Sequence, residues 1–138
     1  MVNRLLHRGH AVAVLARDPE KTRNRYSGPV ETVIGDVREP SSLAPAASGR
    51  DAIVHLVGII HEQGLQTFDR MHREATDHVV SAARAAGVRR YLHMSAMGSA
   101  EDAPSEYGRS KAAGERIVRG SGLEWTILRP SIIFGPGD

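Results

Sequence analysis

The sharpest chemistry in the sequence lies in Tyr107-Gly108-Arg109-Ser110-Lys111. On a helix, residues four apart share a face, so Tyr107 and Lys111 can meet one ligand. A phenol with a pKa of about 10 is a poor acid–base group at neutral pH. An ammonium about 4 Å away, at an effective dielectric of about 20, favours the phenolate by roughly 4 kcal/mol. That is worth about three pKa units, enough to bring a tyrosine into the range of general acid–base catalysis. Ser95, at the end of a neighbouring apolar run, has the hydroxyl needed to hold a substrate carbonyl or alcohol. Tyr-x-x-x-Lys alone occurs by chance in many helices. It gains weight here because it follows a run ending in Ser95 and precedes another apolar run.

The elements that must position these groups are legible as alternating patterns. Short runs rich in Val and Ile cover Ala11–Ala16, Val30–Ile34, Ala52–Val57, Tyr91–Met94 and Trp125–Leu128. Each is too short for a typical helix and fits a buried strand. Segments of helical period lie between several of them. Val2, Leu5 and Leu6 share a face, with Gly9 placed as a C-terminal cap. Asp18-Pro19 starts a short helix. Pro45 interrupts any helix over 41–48. Thr67 caps a helix whose inner face is Phe68, Met71, Ala75, Val79, Ala82 and Ala86, ended by Gly87. Ser105 to Arg119 is a further helix, closed by Gly120. Strand and helix in alternation, with near-continuously apolar strands, predict a parallel α/β sheet covered on both faces.

In such a sheet, ligands bind beyond the carboxyl ends of the strands. The residues there are Arg17, then Gly35-Asp36-Val37, then Gly58, then Ser95, then Arg129-Pro130-Ser131. Loops carry such residues in any protein, but five together on one edge point to a site.

Composition narrows the function. The chain has 138 residues, the length of one domain, and no linker or internal repeat divides it. The absence of cysteine excludes a disulfide framework, a thiolate zinc site and cysteine nucleophile chemistry. A net charge of +2 with only 4% aromatic residues argues against a nucleic-acid surface. His72 and His78 lack His-x-x-x-His spacing, and His55 and His93 read as core histidines in strands, so no metal is expected. Ser95 lacks the Gly-x-Ser-x-Gly elbow of a hydrolase. No leader or spanning segment is evident, and the expected compartment is the cytoplasm.

The chain resembles the short-chain dehydrogenase/reductase superfamily, in its extended and atypical, NAD-dependent epimerase/dehydratase-like branches. Tyr107 to Lys111, Met94-Ser95-Ala96, Gly35-Asp36-Val37 and the tail from Leu128 to Asp138 carry the resemblance. His55 to Ile60 and Leu92 to Gly98 are most similar to bacterial relatives of an accessory subunit of respiratory complex I, alpha-subcomplex subunit nine. The resemblance implies a Rossmann-like doubly wound parallel sheet binding NAD(P)(H). It puts Asp36 and Val37 by the adenine, and Val57 and Gly58 along the cofactor. Tyr107 and Lys111 fall at the nicotinamide ribose, and Pro130 and Ser131 at the carboxamide. Arg17 stands where an NAD enzyme carries an acid, which favours NADP(H) over NAD(H).

The resemblance also sets an expectation about extent. The family's first strand and Gly-rich turn, and the substrate region that follows Asp138, are expected to be missing, leaving 1–138 as a partial domain. In the sheet order 3-2-1-4-5-6 the missing strand is central, so its two neighbours either pair directly or stay unpaired. Such a chain is expected to be marginally stable, to aggregate readily and to bind dinucleotide poorly. Ala96 stands where catalytic members carry a further hydroxyl. Three functions follow: an NADP(H) oxidoreductase or epimerase-type enzyme using Tyr107, Lys111 and Ser95 on a small molecule of unidentified class; a cofactor-holding accessory protein of a respiratory complex; or a non-functional fragment of either.

Overall fold

The computed structural model describes residues 1–22 and 25–135. The strands are β1 (Ala13–Ala16), β2 (Glu31–Ile34), β3 (Ala52–His55), β4 (Arg90–Met94) and β5 (Glu124–Leu128), and each falls on an expected apolar run. The helices are α1 (Val2–His7), α2 (Ala44–Ala47), α3 (Ala75–Ala85) and α4 (Glu106–Arg119). Asp18 begins a single 3-10 turn, accepting from the Glu20 amide at 3.0 Å. The 41–48 stretch, which the sequence leaves open, holds part of another 3-10 turn and α2, with Pro45 tolerated in the first turn.

All strand pairs are parallel. They make two sheets, β1-β2 and β3-β4-β5, rather than one. His55 lies opposite His93, and His93 opposite Ile127. In the order 3-2-1-4-5-6, β1 and β3 take the second and fourth places, and no strand stands between them among the described residues. Among the described residues they do not pair with each other, and each has one edge without a ladder partner. Every residue of β1 is only half-buried. This is the outcome in which the neighbours stay unpaired.

The core lies mainly under the three-stranded sheet, where Val79, Val80 and Ala83 meet Val88, Tyr91 and Val118. Val37 and Leu43 extend it toward β1, whose Leu15 packs against it. No described helix is long and apolar enough to cross a membrane.

The helix leading to α3 departs from expectation. Thr67 does cap it, its hydroxyl accepting from the Arg70 amide at 3.2 Å. Asp69–Glu74, however, form a π-helical turn. The buried stripe is Met71-His72, Ala75-Thr76, Val79-Val80 and Ala83, while Ala86 is exposed. The reason is packing on two sides. The segment touches both the sheet and α4, so two residues per turn are covered instead of one. Gly114 lets α4 come this close, since a Cβ there would stand 2.5 Å from the His72 carbonyl oxygen. Glycine is needed because the obstacle is backbone, which cannot rotate away.

Candidate functional site

α4 begins at Ser105, whose hydroxyl accepts from the Gly108 amide at 3.0 Å. Tyr107 and Lys111 follow on one face of the next turn. Lys111 is 4% exposed and its ammonium donates to the Met94 carbonyl at the end of β4, at 2.7 Å. Burial pushes its pKa down to about 8, against an opposing pull from Glu115. Gly58, after β3, comes up against the same group. A Cβ there would lie 3.3 Å from His72 Nε2 and 3.4 Å from Lys111 Nζ. The ends of β3 and β4 and the first turns of α4 therefore converge on one point.

Tyr107 is half-buried, with its ring in edge contact with His72 at 5.4 Å and Phe68 at 5.7 Å. Sequence reasoning passed over His72 because it was weighed only as a metal ligand. Among the described residues no cluster suits a metal ion.

Ser95 takes a different partner from the one expected. It is 3% exposed and its hydroxyl donates to Ser99 Oγ at 3.1 Å. Strand alternation accounts for this: His93 and Ser95 fall on the buried side of β4. Glu115 is a buried carboxylate on α4. Burial raises the pKa of Glu115, but bonds from Arg129 and Arg119 outweigh it and hold the group at about 2. Arg129 clasps this carboxylate with two bonds of 2.6 Å. The arginine at the end of β5 thus ties that strand to α4. Pro130 accepts from the Met97 amide at 2.8 Å, joining the loops after β4 and β5, and Ser131 is exposed beside it. The end of the tail motif, Pro136 to Asp138, lies outside the described residues.

At the other end of the edge, Asp36 is held by Arg38, whose Nη2 lies 2.6 Å from its carboxylate. These bonds keep Asp36 below the usual carboxylate range, and the charge of Arg17 adds to the effect. Arg17 is exposed and within electrostatic reach of that pair. Val37 is a core residue, 7% exposed, rather than an open contact surface. Its carbonyl accepts from His78 Nδ1 at 2.9 Å, which fixes the loop. Val57 is 36% exposed on the approach to Gly58.

These placements fit a nicotinamide dinucleotide along the edge. The cleft at Gly58, which a side chain would fill, and the lysine behind it suit a ribose. Arg17 offers a cation at the far end. A cavity of about 770 Å³ lies elsewhere, lined by Leu6, His10 and Arg50 at the amino ends of the strands. That is the wrong edge for a parallel sheet to bind a ligand.

Fold and edge together define a dinucleotide-binding α/β protein of Rossmann type. The chain belongs to the NAD(P)H-binding family, whose profile matches residues 1–135. Ceramide reductase of Caulobacter vibrioides is 38% identical over 109 residues, 79% of this chain and 34% of that protein. The alpha-subcomplex subunit 9 of mitochondrial NADH dehydrogenase from Dictyostelium discoideum is 32% identical over 80% of this chain and 31% of its own length. Among solved structures, a short-chain dehydrogenase/reductase superfamily protein from Agrobacterium tumefaciens with bound NAD is 30% identical. It has a TM-score of 0.70 and covers 93% of this chain and 44% of its own. The chain spans about a third of the length of the curated relatives it matches.

Proposed function

We propose that residues 1–138 carry the nicotinamide end and the adenine-ribose end of a site for a reductase-type reaction on a small-molecule carbonyl or alcohol. The observation that carries this reading is the meeting of Gly58, Lys111 and Tyr107 at the carboxyl edge. When bound, the reduced nicotinamide supplies a hydride. Tyr107 Oη gives the accompanying proton to the substrate oxygen. The Lys111 ammonium holds the ribose. Val57 and Gly58 border the ribose path, and Pro130 and Ser131 border the carboxamide. In this reading Ser95 would have to turn its hydroxyl from Ser99 to orient the substrate, and the work is done in the cytoplasm.

The cofactor in this reading is NADP(H). Arg38 already neutralises Asp36, so the charge of Arg17 is available to a 2′-phosphate. NADPH is expected to bind more tightly than NADH, and Arg17→Asp is expected to shrink or reverse the difference, by about tenfold. Fluorescence titration of both cofactors checks this, and equal affinities in the parent chain contradict it.

A second reading is a cofactor-holding accessory protein associated with a respiratory complex. It is favoured by the engaged Ser95 hydroxyl together with Ala96, which leaves the strand end without a hydroxyl for substrate. The similarity to complex I subunits supports it. Turnover of a carbonyl substrate that depends on Tyr107 separates the two.

A further inference from the structure

His72 is where the loop after β3 meets the Tyr–Lys turn of α4. The ring is 2% exposed and joined on both sides. The Ile59 amide donates to Nε2 at 3.1 Å. Nε2 is therefore the accepting nitrogen, and the ring proton sits on Nδ1. Nδ1 lies 2.9 Å from Ser110 Oγ, and that hydroxyl donates to the Tyr107 carbonyl at 2.8 Å. The bonds run in one direction, from the Ile59 amide through the imidazole and Ser110 to Tyr107. Each donor has an acceptor and each acceptor a donor.

Two further contacts hold the ring. Phe68 stacks on it at 5.6 Å, and the Tyr107 ring meets it edge-on at 5.4 Å. The π-helical turn over Asp69–Glu74 carries the residue. Such turns alter the register of a helix and frequently mark functional sites. The space beside Nε2 is the space that Gly58 leaves open in front of Lys111.

We propose that His72 is a positioning residue for the dinucleotide, setting the separation between the Gly58-Ile59 backbone and the Tyr107–Lys111 turn, and so the width of the ribose slot. The ligand named here rests on the reading given under Proposed function. Leucine would fill the site of the ring without either bond. Glutamine would keep one donor and one acceptor at similar reach. Ser110→Ala removes the second leg alone and leaves the ring in place.

The test is an NMR titration of the whole chain with NADPH, in the parent, His72→Leu, His72→Gln and Ser110→Ala. Long-range nitrogen–proton spectra read the ring tautomer, and exchange of the Ile59 amide reads the first bond. The parent is expected to hold the Nδ1–H tautomer with a protected Ile59 amide. His72→Leu is expected to weaken NADPH binding by about tenfold, with His72→Gln within about threefold of the parent, since two hydrogen bonds are at stake. Ser110→Ala is expected to lose about threefold or more, for one bond. It decides the matter should His72→Leu fail to fold. A parent that binds NADPH while His72→Leu or Ser110→Ala binds it equally well overturns this inference alone, as does an Nε2–H tautomer. A parent that binds no NADPH overturns both this inference and the reading beneath it.

Discussion

Acidification is expected to unfold the chain well before its carboxylates titrate. Burial first, and then the positive charge of Lys111 and neighbouring histidines, pushes His55 down to about 3 and His72 and His93 down to about 4. In the unfolded chain all three would titrate at about 6.5. As pH falls below that value, the unfolded chain takes up protons that the folded chain resists, so stability is lost progressively toward the folded-state values. At about 1.4 kcal/mol per pKa unit, His72 and His93 contribute up to roughly 3 kcal/mol each and His55 up to roughly 5 kcal/mol, and a domain has only about 5–15 kcal/mol in all. Glu115, held at about 2, adds a later loss as pH falls from its unfolded value of 4.5. Circular dichroism during acid titration should place the midpoint at about pH 5. A fold that persists to about pH 3 would show that these rings are not buried and neutral.

The second large effect concerns Tyr107 and Lys111. Where turnover with NADPH is measured, Tyr107→Phe is expected to lower it by about 100-fold or more, the usual size of a lost general acid. Cofactor affinity should stay nearly unchanged. Lys111→Ala is expected to harm both, because it removes the proposed ribose contact and the charge together. Binding in the parent should weaken above pH 8, where the Lys111 ammonium gives up its proton. Full turnover in Tyr107→Phe would remove the acid–base role and leave the accessory-protein reading.

The legible parts of this protein are those that local chemistry dictates. Apolar runs mark the strands and Ser105 and Thr67 mark helix starts, whereas the sheet order implied by the resemblance left open whether β1 and β3 pair directly or stay apart. His72 was illegible because its bonding partners lie 13 and 38 residues away. The π-helical turn that aims it has no clear pattern in the sequence. Ser95 and Arg129 stand at strand ends as expected, but their partners, Ser99 for Ser95 and Glu115 for Arg129, were not legible. Strand-end position says nothing of which face a side chain takes. That depends on the register of β4, and on a buried carboxylate from α4 that pairs with the exposed Arg129. Val37 likewise fell at the expected turn, yet the His78 bond to its carbonyl and its place in the core come from the distant α3.

The central claim is that a nicotinamide dinucleotide lies along the carboxyl edge, from Arg17 past Gly58 to Lys111. The most direct measurement is a map of backbone amide shifts in the whole chain during titration with NADPH at about millimolar concentration, a range that detects weak binding. The account predicts saturable shifts at Arg17, Asp36, Gly58, Tyr107 and Lys111, with those at Gly58 and Tyr107 lost in Lys111→Ala. Shifts confined to His10, Glu31 and Arg50 at the opposite edge, or no saturable shifts at all, would contradict it.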